Sequence, residues 1–142
     1  VPRVRIDFPQ ESLFAVDLTV RAADLNYANH LDHARLISLL HEARVRLLHA
    51  NGLGEIDADG RVITVADLAV SYRAEAFLGD LLRVEVAAAE LGSRGCVLLY
   101  RVRRGDTVVA LARTGIVVVD AKRGRVTTMP EPLLRALQGG AS

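Results

Sequence analysis

The chain has 142 residues, 51% of them hydrophobic, with 18 basic side chains against 17 acidic ones. That balance excludes wholesale disorder and gives one domain, residues 1–142, room for a substantial core. All the basic residues except Lys122 are arginines scattered along the chain, so the concentrated stripe that nucleic-acid binding uses is missing. An isolated arginine can still grip a phosphate group. Cys96 is the lone cysteine, which excludes an intramolecular disulfide and a cysteine-based zinc site. Within "CVLLY" it reads as a buried, inert thiol. No apolar run approaches the roughly 20 residues of a membrane span. The opening "VPRVRIDFPQE" lacks a signal-peptide core, so a cytoplasmic protein with no membrane partner is the expectation.

"LFAVDLTVR" (13–21) alternates apolar and polar residues, the period of a half-buried strand. The polar stretch "DLNYANHLDH" (24–33) follows. From Ala34 onward Leu36, Ile37, Leu40, Ala43, Leu47 and Leu48 recur at three- and four-residue spacing, which predicts a helix of about 18 residues with one apolar face. Asp32 is placed to cap its start, and "NGLG" (51–54) is a fitting stop.

After the turn "DADG", strands are expected over 61–76, 81–91, 96–104 and 107–120. "LGD" (78–80), "GSRG" (92–95) and "RGD" (104–106) have the length of hairpin connections, which makes neighbouring strands antiparallel. "PEPLLRALQ" (130–138) suggests a short terminal helix, and 139–142 a frayed tail. One long helix and four long strands after the first point to an α+β fold whose antiparallel sheet wraps the helix. Segments such as "GIVVVD" are apolar at consecutive positions, so parts of both sheet faces are covered. One helix cannot cover both, which predicts a homo-oligomer.

The element order is similar to the hotdog fold. Locally, "VRAADLNYANHLDHARLISLLHEARVRLL" (20–48) resembles the 4-hydroxybenzoyl-CoA thioesterase-like family, in which a "GH(V/L)NN" turn precedes a helix carrying "EEARxxFL". "VSYRAEAFLGDLLRVEVAAAELG" (70–92) is similar to that family's "V.Y..pa..GD.l.v...v..lg". The likeness covers about residues 13–134. It implies a homodimer or homotetramer with sites at subunit interfaces, no cofactor, and hydrolysis of an acyl-thioester carried on coenzyme A or acyl carrier protein. The family's usual aspartate, nucleophile or general base, stands here as Asn26. "NH" replaces "GH" at Asn29, and "DH" replaces "NN" at Asp32 and His33.

Thioester hydrolysis needs an activated water or nucleophile and donors for the developing oxyanion. The free N–H groups of a helix N-terminus suit the second task. Asn26 cannot accept a proton at neutral pH and can only orient water or donate to the carbonyl. His30 is then the first choice of base, the alternative being an imidazole packed over the turn on a backbone carbonyl. Asp67, inside the apolar run "ITVADLAV", is a second candidate base, or else an acid satisfied by an arginine. Glu42, matching the resembled helix motif, is a further catalytic candidate, the alternative being a surface ion pair with Arg46 four residues on. Tyr27, Tyr72 and Arg73 are candidates for substrate contact. Asp24 reads as a structural acid bonding the turn. His30, Asp32 and His33 lack the spacing of a helical zinc pair, so no metal is assigned. "DLNYANH" also resembles the "D-x-N-P-x-H" segment of hotdog enoyl-CoA hydratases, one residue too long and without the proline. A binding module that holds an acyl-thioester without cleaving it is the other alternative.

Overall fold

The computed structural model describes residues 2–139; of the expected tail, residues 140–142 lie outside the described residues. The first strand, β1 (Phe14–Thr19), leads through a single 3-10 turn (Ala22–Asp24) into the helix α1 (His33–Ala50). Leu36, Leu40, Ala43, Leu47 and Leu48 are buried along one face of α1. Leu39 joins them, whereas Ile37 is only half-buried. The stop falls where expected: Gly52 adopts a φ of 71°, a left-handed conformation that costs glycine nothing. No helix among the described residues is long and apolar enough to cross a membrane.

The strands β2 (Arg61–Tyr72), β3 (Leu81–Ala89), β4 (Gly95–Arg104) and β5 (Thr107–Asp120) follow, then β6 (Arg125–Val126) and the helix α2 (Glu131–Leu137). All strand pairs are antiparallel, in the order β1-β3-β4-β5-β2, with β6 on β5. Along β4 the alternate residues Cys96, Leu98, Tyr100 and Val102 enter the same buried cluster as the α1 leucines. The period of two thus turns one face of the sheet onto the helix. Burial pushes the Cys96 thiol up to about 12, so it is protonated and unreactive at neutral pH.

Two expectations are corrected. The link from β2 to β3 is not a hairpin: β2 pairs with β5, and β3 pairs with β1 and β4. β2 ends at Tyr72 because the next two amides, of Arg73 and Ala74, both turn onto the Val109 carbonyl, at 2.8 and 3.1 Å. Residues 73–80 then cross the end of the sheet to reach β3. On the way Leu31 donates to the Ala76 carbonyl at 2.8 Å, and Val20 and Gly79 bond Asp80 and Val20 at 2.9 Å each.

Buried side chains also lie outside the 13–134 stretch that carries the likeness. Ile6, Ala136 and Leu137 are buried. The Arg101 guanidinium, on the face of β4 turned away from α1, stacks 4.6 Å above the centre of the Phe8 ring. The N-terminal segment therefore covers part of the outer sheet face, for which the sequence suggested only another subunit.

Candidate active site

The loop ahead of α1 folds on itself. Leu25 and Leu31 form an isolated antiparallel bridge, the Asn26 amide donates to the His30 carbonyl at 2.9 Å, and the Asn29 amide donates to the Asn26 carbonyl at 3.0 Å. Asn29 closes this turn with a φ of 65°. Asparagine tolerates that left-handed conformation, which explains how it stands where the resembled turn has glycine.

Asp24 anchors the base of the loop and is only 2% exposed. Its carboxylate accepts from the Arg21 backbone N–H at 2.9 Å and from the Arg21 guanidinium at 3.3 and 3.2 Å. Burial pushes the Asp24 carboxyl up, but these hydrogen bonds and the Arg21 charge outweigh it and hold the pKa below the ordinary value of 3.8. With its folded pKa depressed, Asp24 contributes stability above the unfolded value, and that contribution is lost as pH falls through the folded one. Asp24→Asn is expected to cost about 1–3 kcal/mol at neutral pH. Urea titrations should show the gap to wild type narrowing from about pH 5 downward. Because both its oxygens are engaged by Arg21, Asp24 cannot activate water as a hydratase would require.

Asp32 caps α1, its carboxylate accepting from the Ala34 amide at 3.0 Å and the Arg35 amide at 3.3 Å. The Leu36 amide closes on the Asp32 carbonyl at 3.0 Å. The helix tip is thus less rich in free donors than expected: of the first four amides, only that of His33 has no partner among the described residues. The Tyr72 hydroxyl donates to the His33 carbonyl at 2.7 Å and holds that residue in place. Burial, aided by the Asp32 charge, pushes the Tyr72 phenol up, so it remains a donor at neutral pH.

The His33 tip opens into a cleft of about 250 Å³ lined by Asn26, His30, Leu31, Asp32, His33, Leu36, Tyr72, Ala74, Glu75, Ala76 and Val109. The Asn26 amide is oriented by its neighbours. Its Oδ1 accepts from the Ala28 amide at 2.9 Å and the His30 amide at 3.4 Å, so Nδ2 faces His30 Nδ1 at 3.2 Å. Nδ1 must then be the acceptor, and the proton of neutral His30 sits on Nε2. A longer 3.4 Å approach of Nδ1 to the Leu31 carbonyl competes only weakly with this arrangement. Nε2 points to the Glu75 carboxylate, 3.6 Å away. Both imidazole nitrogens thus face polar partners, Asn26 on one side and Glu75 on the other.

Of the other candidates, only Tyr72 lines this cleft. Tyr27 is fully exposed. Arg73 donates to the Ser71 hydroxyl at 2.8 Å. Glu42 accepts from Arg46 at 2.7 Å on the flank of α1. Asp67, expected as a base or as an acid satisfied by an arginine, lies exposed in the single chain at a bulge of the edge strand β2. There it accepts from the Gly115 amide at 2.9 Å, with Arg113 at 3.6 Å. Glu75 lines the cleft without having been a candidate, because "YRAEAF" reads as the end of the strand expected over 61–76. The available signal was its place at the proline position of the resembled "V.Y..pa..GD".

A larger cleft, of about 360 Å³, lies beyond the other end of α1 and includes Glu55, Asp57 and Arg61. Its acids are all paired: Glu55 with His41 at 2.6 Å and Arg44 at 3.1 Å, and Asp57 and Asp59 with Arg61 at 2.7 and 3.5 Å.

An antiparallel sheet curled round one long helix, with a polar cleft at the helix N-terminus, defines the hotdog fold, an α+β architecture. Residues 20–137 match the Thioesterase-like superfamily, and the chain belongs to it. The chain is similar to the 1,4-dihydroxy-2-naphthoyl-CoA hydrolase of Synechococcus elongatus, 26% identical over 124 residues that cover 84% of this chain and 90% of that protein. A solved structure of a hypothetical protein from Thermus thermophilus is 30% identical with a TM-score of 0.80, covering 90% of this chain and 98% of that one. The fold is also similar to that of a 1,4-dihydroxy-2-naphthoyl-CoA thioesterase from Synechocystis, with a TM-score of 0.82 at 19% identity, over 88% of this chain and 95% of that one.

Proposed function

We propose that this protein hydrolyses an acyl-coenzyme A thioester to a free acid and a thiol, with fused-ring aromatic acyl groups the first to test. The observation that carries this reading is His33 at the tip of α1, whose amide has no partner among the described residues and which lines the same cleft as the Asn26–His30 pair. An N–H aimed at a carbonyl oxygen gains strength as negative charge develops there, and one such donor contributes about 3–4 kcal/mol to the transition state. Asn26 sets the imidazole orientation, and His30 positions the groups around the attacking water. The hydrolase names of the relatives support coenzyme A as the carrier, ahead of acyl carrier protein. The proposal includes a homodimer in which the edge strand β2, with Val65, Leu68 and Tyr72 exposed, meets a second copy and completes the acyl pocket.

Purified protein should release thiol from 1,4-dihydroxy-2-naphthoyl-CoA well above the buffer rate, and light scattering should give at least a dimer mass. Absence of thiol release across aromatic and short-, medium- and long-chain acyl-CoAs would refute the hydrolase. Tight binding without release would establish the alternative that Asn26 favours, a module that holds the thioester intact.

A further inference from the structure

With Asn26 at the position of the resembled aspartate, the cleft needs a carboxylate from another part of the chain. We propose that Glu75, carried to the helix tip by the β2–β3 crossover, is the general base that activates the hydrolytic water, a role that rests on the hydrolase reading above. Two acids line the cleft, Asp32 and Glu75. Asp32 is committed to the Ala34 and Arg35 amides. The Glu75 side chain is 62% exposed, and the one ionisable side chain paired with its carboxylate among the described residues is His30 at 3.6 Å.

The placement of Glu75 is built. The Arg104 guanidinium donates to the Glu75 carbonyl. On either side, the Ala74 amide is bound to Val109 at 3.1 Å and the Ala76 carbonyl accepts from Leu31 at 2.8 Å. A loop residue is thereby given a fixed Cα opposite the imidazole. His30, held by Asn26 as the Nε2–H tautomer, directs its proton at the carboxylate and leaves the second oxygen for water.

In the reaction, a Glu75 oxygen takes a proton from water while the water oxygen bonds to the thioester carbon. The carbonyl π pair moves onto oxygen, where the His33 amide receives it. That pair then returns, re-forming C=O and breaking the C–S bond. The departing sulfur takes the proton back from Glu75, so one water and one thioester give one acid and one thiol. The proton ends where it is needed and Glu75 is regenerated.

Glu75→Gln preserves size and removes basicity. With 1,4-dihydroxy-2-naphthoyl-CoA as the probe, kcat is expected to fall by about 10²–10⁴-fold with KM changed by less than about threefold. Adding Asn26→Asp to Glu75→Gln moves a carboxylate back across the cleft and should raise kcat again by about tenfold or more. Circular dichroism melts of both variants should overlay wild type. The assignment is overturned if Glu75→Gln keeps kcat within about threefold of wild type, or if its whole loss lies in KM. A wild-type protein that hydrolyses while Glu75→Gln does so equally removes Glu75 and leaves the hydrolase standing. A wild-type protein without turnover on any acyl-CoA of the panel removes both.

Discussion

Replacing His30 with alanine is expected to lower kcat on an acyl-CoA thioester by about 10²-fold without lowering the melting temperature. Among the described residues, the imidazole is the only side chain paired with both Asn26, at 3.2 Å, and Glu75, at 3.6 Å. Without it the carboxylate has no partner to orient it and the asparagine amide has no acceptor. Asn26→Ala acts on the same unit from the other side. It frees the Ala28 and His30 amides and releases the tautomer, so its kcat should fall by a smaller factor, about tenfold. Steady-state kinetics on the two single variants and the double variant check this. Residues working as one unit give a double loss well short of the product of the singles. If both single variants keep wild-type rates, the cleft is not where the chemistry occurs.

A second large effect is expected from Leu36→Ala. Leu36 is 1% exposed, belongs to the main core cluster and also lines the cleft, one turn below the His33 amide. Truncation leaves a cavity at the junction of helix and sheet, with a cost of roughly 2–5 kcal/mol measured by urea unfolding. The same change loosens the seat of the helix tip, so kcat should fall at temperatures where the variant is still folded. A displacement of about 1 Å in a positioned donor can cost about 10²-fold in rate. Leu47→Ala, at the far end of the same stripe and equally buried, should share the stability loss and spare the rate.

Local features of this chain were readable because their causes are local. The leucine spacing of α1, the Asp32 cap and the alternation of β4 follow from helix and strand periods within a few residues. The Glu42–Arg46 pair was readable from its spacing alone. What escaped depends on the whole sheet. "LGD" has the composition of a hairpin turn, and only the strand order reveals that its flanking strands do not pair. Asp67 sits among apolar neighbours, and only the strand order reveals that β2 is an edge. Ile6 and Phe8 lie in an irregular segment with no period to detect. Asn26 and His30 could be singled out as a polar pair ahead of a helix. The direction of the proton between them needed the Ala28 amide, and the acid beyond them needed a segment some 45 positions away in the chain.

The crossover at residues 73–80 divides the cleft into two pieces of unequal ancestry in the chain. The imidazole and the amide donor ride on the helix and its leading loop, while the acid arrives with the link. The seam between them is held by the main-chain bonds Leu31 to Ala76, Val20 to Asp80 and Gly79 to Val20. Lengthening or shortening that link by a residue would change the reach of the acid while leaving the leucine stripe and every long strand pairing intact. On the role proposed for Glu75, a change of length in this link is expected to alter reactivity before it alters the helix or the long strand pairings.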